Sequence, residues 1–276
     1  MADLDELKIE LATAECKLKR AQDAQKMDGS LVVIEVCSRH GGFKKIIKEL
    51  EIIPGKKFRS CSECPHCAAM RVESLKSQIK LIKSNEIKAL KDVSGIPPRF
   101  KDCSFDNYLP TNDGAKRALS YAARYAEKWL DRFSRGGGLV FCGKPGTGKN
   151  HLACAIANSV IEQHQAKAMI STALRIARDV KSSWGSGGKS EAQALKNYTD
   201  KDLLIIDEIG VQFGSDAEKI ILFEIINTRY EQMKPTILIS NLSAPELANY
   251  IGERVLDRMM EGQGAIVAFD WDSYRK

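Results

Sequence analysis

The sequence predicts an α/β protein: a parallel sheet flanked by helices, preceded by a small helical N-terminal domain that binds metal. Three observations carry this. From about residue 115, short apolar runs alternate with amphipathic helical stretches, the pattern of strands joined by crossover helices. A glycine-rich loop at 143–150 lies between one such run and one such helix. Cysteine and histidine are concentrated between residues 36 and 70, in a segment too polar to build a core unaided.

At 276 residues the chain is long enough for a core of about 170 residues plus a smaller module. A content of 43% hydrophobic and 28% charged residues supports a packed interior and excludes a disordered chain. No apolar run reaches the ~20 residues that span a bilayer, and the start MADLDELKIE lacks the layout of a signal peptide, so a cytoplasmic protein without membrane contact is expected. Eight cysteines in such a chain point to reduced, buried or metal-bound thiols. The net charge of +6 comes mostly from the first 100 residues, where 19 Lys and Arg face 14 Asp and Glu. So small an excess suits an acidic partner but equally suits solvated lysines.

Taken in order, residues 2–27 place Leu4, Leu7, Leu11, Ala14, Leu18 and Ala21 on one helical stripe, ended by Asp28-Gly29. A second helix from about 70 to 91 carries Val72, Leu75, Ile79 and Ile82 at the same spacing, so the two are expected to pack as a hairpin. Core packing, contact with a partner protein and self-association compete for the first stripe. Ser94-Gly95-Ile96-Pro97-Pro98 breaks the second helix, giving domains 1–93 and 94–276. Helices follow at 113–133, 149–164, 172–183, 215–232 and 245–260, with a short one after the loop GSGGKS. The strands are GLVFCG, KAMIS, LLIID, TILIS and AIVAF.

Gly143-Lys144-Pro145-Gly146-Thr147-Gly148-Lys149-Asn150 matches the phosphate loop G-x-x-x-x-G-K-S/T except at its last position. Its glycines permit turns that aim backbone N–H groups at phosphate, Lys149 reaches the β- and γ-phosphates of ATP, and the helix that follows adds positive potential. Asn150 offers Mg²⁺ an amide oxygen where a hydroxyl is usual. Downstream, the strand Leu203–Ile206 ends in two carboxylates: Asp207 to hold Mg²⁺ and Glu208 to orient the attacking water. Asn241, after TILIS, is placed to sense the γ-phosphate, or is simply a turn residue. In Gly252-Glu253-Arg254-Val255-Leu256-Asp257-Arg258 a spacing of four sets both arginines on one face. They form either an ion-paired stripe with Glu253 and Asp257 or an arginine finger for a neighbouring subunit.

Cys37-x-x-His40 and Cys64-Pro-His-Cys67, with 23 residues between them, have the ligand types and spacing of a tetrahedral Zn²⁺ site. Cys61-x-x-Cys64 is a competing second pair and His66 a spare ligand.

Together GKPGTGKN, LLIIDEIG, ILISN, GERVLDRM and the terminal FDWDSYR resemble the DnaC-type replicative helicase loaders of the AAA+ superfamily, over roughly residues 94–276. The resemblance implies an AAA+ core using ATP and Mg²⁺, single-stranded DNA as ligand, self-association through that core, and a hexameric replicative helicase as partner. It implies a nucleotide site made of the loop and of His151, with Arg258, or else Arg254, as the trans-acting finger and Arg275 as second sensor. The segment Ile96–Tyr108 resembles the family's opening motif, so Phe100, Phe105 and Tyr108 either wall the adenine or pack a domain junction. The zinc pattern resembles phage-type loaders, which implies Cys64 and Cys67 as the second pair and a helicase grip in residues 1–93. Arg175, Arg178, Lys181 and Trp184 are candidates for single-strand contact, or else a solvated helix face. The competing functions are a transposition helper ATPase of the IstB type and an ATP-switched adaptor with vestigial hydrolysis.

Overall fold

The computed structural model of the chain describes residues 3–27, 32–53, 56–184, 190–210 and 216–274. The chain divides into two compact units, Met1–Glu86 and Ile87–Lys276.

In the first unit, helix α1 (Leu4–Gln25) begins at Asp3, whose carboxylate accepts the Asp5 N–H. It ends at Gln25, and the predicted stop at Asp28-Gly29 lies outside the described residues. Its stripe buries Leu7 and Ala14 against Val72 and Leu75 of α2 (Pro65–Val93), with Leu11, Leu18, Ile79 and Ile82 around them. Ion pairs Arg71–Glu10 at 2.8 Å and Lys76–Glu15 at 3.1 Å flank this seam. Between the helices runs an antiparallel sheet of β1 (Val32–Cys37), β2 (Gly41–Ile53) and β3 (Lys56–Cys61) in the order β1-β2-β3. The sequence reading assigned no strand here, so the domain is mixed where it was expected to be helical. For β1 the reason is physical: Val33, Ile34 and Val36 are all exposed, so no buried face imposes the two-residue alternation that marks a strand.

The predicted boundary between residues 93 and 94 falls seven residues beyond the division between units. Helix α2 continues to Val93, and its Ile87 and Leu90 pack on the core of the second unit.

Among the described residues the second unit holds a five-stranded parallel sheet in the order β5-β6-β7-β4-β8. The strands are β4 (Leu139–Gly143), β5 (Ala168–Thr172), β6 (Leu203–Ile209), β7 (Thr236–Ser240) and β8 (Ala265–Phe269). The central strands are apolar throughout because both faces are covered. Leu139, Phe141, Leu203, Ile205, Ile237 and Ile239 face one core, built with α3 (Asp113–Glu127), α4 (Trp129–Arg135) and α5 (Lys149–His164). Val140, Cys142, Leu204, Ile206 and Leu238 face the other, against α6 (Ala173–Ser182), α7 (Glu191–Thr199), α8 (Asp216–Glu231), α9 (Ala244–Ile251) and α10 (Glu253–Met260). Two predicted helices are each split. The first breaks at Lys128, and the second at Gly252, whose φ of 91° no helix allows. Most of the GSGGKS loop lies outside the described residues. Among the described residues, no helix is long and apolar enough to cross a membrane.

Candidate functional site

Strand β4 delivers the phosphate loop to the N-terminus of α5, as the sequence predicted. Gly143, Gly146 and Gly148 have φ of 115°, 76° and 98°, conformations that only glycine adopts without strain. Lys149 is buried, and its ammonium donates to the carbonyls of Gly143 and Lys144 at 2.7 Å each. The loop opens on a cleft of about 840 Å³ lined by Pro145 to His151, by Asp207, Glu208 and Asn241, and by Arg99, Phe100, Cys103, Tyr108 and Tyr274.

Strand β7 lies between β4 and β6, which brings Asn241 into the cleft with the two carboxylates. The β6–β7 pairing slips between Ile206 and Ile209, and Ser240 Oγ donates to Ile209 O at 2.6 Å across the slip. Asp207 and Glu208 sit in it, and Glu208 takes a left-handed φ of 59° that is strained for a side-chain-bearing residue. Its N–H donates to Asp207 Oδ1 at 2.7 Å, and Asn150 Nδ2 donates to Asp207 Oδ2 at 2.6 Å. That bond leaves the Asn150 amide oxygen available beside the carboxylate. Burial pushes the Asp207 carboxyl above its ordinary range, with the Glu208 N–H, Asn150 and Lys149 pulling the other way. A divalent cation suits this pair: a half-buried carboxylate and a hard amide oxygen at the mouth of a phosphate loop.

Phe100 and Tyr108 line the cleft, whereas Phe105 packs on the core. His151 lines it as well, with Nε2 at 3.0 Å from Ser104 O. The Lys144 N–H is spent on Phe269 O at 2.8 Å, so it is not a phosphate donor. Neither arginine of α10 lines the cleft. Arg258 bonds Asn227 Oδ1 and lies over the rings of Tyr230 and Phe223 on α8, while Arg254 is exposed. Among the described residues no ion pair joins Glu253 or Asp257 to either arginine, so the paired stripe is absent. Arg275 lies outside the described residues.

In the first unit, Cys37, His40, Cys64 and Cys67 converge, with ligand atoms all within 4.8 Å of one another. Cys37 Sγ is 3.7 Å from Cys67 Sγ, and His40 Nδ1 is 3.4–3.7 Å from the three sulfurs. A tetrahedron with Zn–S bonds of about 2.3 Å has edges of about 3.8 Å, so the cluster fits zinc. Donors at Arg39 and His40 hold the Cys37 thiol down at about 6, while the adjacent Cys37 raises Cys67 to about 11. Cys61 is exposed and outside the cluster, and His66 stacks on His40 at 5.3 Å, so neither replaces a ligand.

A family profile described as IstB-like ATP binding protein matches residues 123–276. The chain is 41% identical over 182 residues to the replicative helicase loader DnaC of Escherichia coli strain K12, covering 66% of this chain and 73% of that protein. The chain belongs to the DnaC-type loaders of the IstB-like ATP-binding family. A second DnaC, from Buchnera aphidicola subsp. Schizaphis graminum, is 37% identical over 204 residues, 72% of this chain and 81% of that one. A crystal structure of the DnaC helicase loader matches with a TM-score of 0.57 at 25% identity, over 63% of this chain and 100% of that one. The DnaC-type core is therefore the AAA+ fold expected from the motifs.

Three features of this DnaC-type site escaped the sequence reading. Cys103 and Asn107, in the segment whose aromatic residues alone were singled out, line the cleft. The hydroxyl of Tyr108, read only as a ring, donates to Thr147 O at 3.3 Å. Trp271 in the terminal motif donates to the same oxygen at 3.2 Å.

Proposed function

We propose that the chain is an ATP-dependent loader of a DnaB-type hexameric replicative helicase onto single-stranded DNA, acting in the cytoplasm. The observation that carries the proposal is the 41% identity to DnaC across a chain that also holds a formed phosphate loop and acid pair. Residues 94–276 are the ATPase and self-association module, and residues 1–93 grip the helicase.

In the ATPase, the loop from Gly143 to Asn150 holds the phosphates, with Lys149 leaving its carbonyl partners for the β- and γ-phosphates. Asp207 and Asn150 hold Mg²⁺, which when bound neutralises charge that develops on the transferring phosphoryl group. Glu208, exposed at the end of β6, orients and polarises the attacking water. Asn241 reads the γ-phosphate, Arg258 reaches a neighbouring subunit's nucleotide after release from α8, and Arg275 serves as second sensor. Turnover is slow and stimulated by single strands and by the helicase. In the N-terminal module, Cys37, His40, Cys64 and Cys67 hold Zn²⁺, which ties the turn after β1 to the start of α2 and so fixes the local fold.

The family profile also favours a second reading, the IstB-type transposition helper, which binds duplex DNA. Two measurements separate them. The full chain co-elutes with its cognate helicase and prefers a single strand to a duplex of the same sequence. Failure to co-elute, together with a duplex preference, overturns loading in favour of transposition. Phosphate release abolished by Glu208→Gln supports hydrolysis, and equal release from the variant refutes the role of Glu208.

A further inference from the structure

A phosphate loop binds its anion through backbone N–H groups turned toward it, and in a trans peptide the N–H points opposite to the carbonyl of the same unit. What holds the carbonyl therefore decides where the N–H looks. The Thr147–Gly148 unit has its carbonyl oxygen bonded twice, by Tyr108 OH at 3.3 Å and by Trp271 Nε1 at 3.2 Å. The preceding unit has its Gly146 oxygen bonded by the Tyr274 N–H at 2.9 Å. Among the described residues, neither the Thr147 nor the Gly148 N–H has a partner of its own. Both residues line the cleft.

The two side-chain donors are held firmly. Trp271 is 9% and Tyr108 6% exposed. Trp271 stacks on Phe269 at 4.8 Å, and Tyr108 meets His151 edge-on at 5.3 Å. A methyl group at Gly148 would come within 2.6 Å of the Tyr108 ring, and one at Gly146 within 2.0 Å of Ser273 Oγ, so the loop is moulded on these segments. Burial pushes the Tyr108 hydroxyl up to about 12, which keeps its proton in place at neutral pH.

We propose that Tyr108 and Trp271 are positioning residues for nucleotide binding: their paired donors on the Thr147 carbonyl fix the peptide that presents the Gly148 N–H to the phosphates. The inference rests on the reading of this cleft as the ATP site. It has a distinctive consequence. One donor suffices to satisfy the buried carbonyl, so losing either costs little, whereas losing both orphans it and frees the peptide to rotate.

The test uses the full chain carrying Tyr108→Phe, Trp271→Phe or both, changes that keep the rings and delete the donors. Affinity is read for a fluorescent ATP analogue with Mg²⁺, and for adenosine by displacement. Each single variant should bind the ATP analogue within about threefold of the unaltered chain, and the pair should bind about tenfold more weakly than the product of the singles. Adenosine, which has no phosphates, should bind the pair as it binds the unaltered chain. Additive losses, or equal losses of both ligands, overturn the inference. Lys149→Ala separates the two levels: if it binds the ATP analogue unimpaired, the nucleotide-site reading itself fails, whereas if it loses the analogue and the pair does not, only the positioning role fails.

Discussion

Asp207 is half-buried near the end of a strand, where loss of solvent opposes its ionisation, and the sign of that conflict is testable. Its carboxyl is raised in the fold. The protonated form thus contributes stability that is fully present below the unfolded Asp value of about 3.9 and is lost as pH rises through the folded value. At neutral pH the metal-free carboxylate is a burden, and Asp207→Asn should raise the melting midpoint without Mg²⁺ by about 2–4 °C, a gain that shrinks toward pH 4. Thermal melts across that range check it, and a lower midpoint at pH 7 contradicts the assignment. Gly148→Ala should abolish ATP binding, because φ of 98° and the Tyr108 ring leave no place for a methyl group. Retained binding by isothermal titration would show that the loop can shift. Lys149, Asp207 and Glu208 were legible because glycine spacing and a strand ending in acids are local signals. The strain at Glu208 was not, since it is imposed by the slip between β6 and β7. Nor was the bond from Trp271, which crosses 124 residues of sequence.

Among elements, the parallel core was readable almost strand by strand because its central strands β4, β6 and β7 are apolar and covered on both faces. The N-terminal strand β1 was not, because Val33, Ile34 and Val36 are all exposed and carry no alternation. Its integrity is assigned to the four-ligand cluster, so a strong chelator should release one zinc per chain and reduce the β signal in circular dichroism. Release without spectral change would make the metal incidental. A different device fixes the opposite end of the core sheet. Arg229 is fully buried, with donors on the carbonyls of Tyr198, Lys201 and Pro235 at 2.9, 2.7 and 2.6 Å and on Thr236 Oγ1 at 3.0 Å. It ties α7, β6 and β7 together by bonds no motif advertises. Arg229→Met orphans these acceptors and should lower the melting midpoint by on the order of 10 °C. Arg229→Lys should not restore it, since a single ammonium cannot span the fork. A midpoint unchanged in either variant would contradict this role. In α10, the spacing of Arg254 and Arg258 was legible, but the cage of Asn227, Phe223 and Tyr230 around Arg258 depends on how α8 packs.

For the molecule as a whole, the account joins a nucleotide switch to a zinc-stabilised docking module, and its central claim is that ATP state governs delivery of a helicase. The most direct measurement is loading of the cognate hexameric helicase onto a circular single strand, read by release of an annealed oligonucleotide, with the unaltered chain and with Lys149→Ala. Strand release that requires both the unaltered chain and ATP, and that falls to background with Lys149→Ala, is the predicted result. Equal release without this protein, or with Lys149→Ala in its place, would contradict the account.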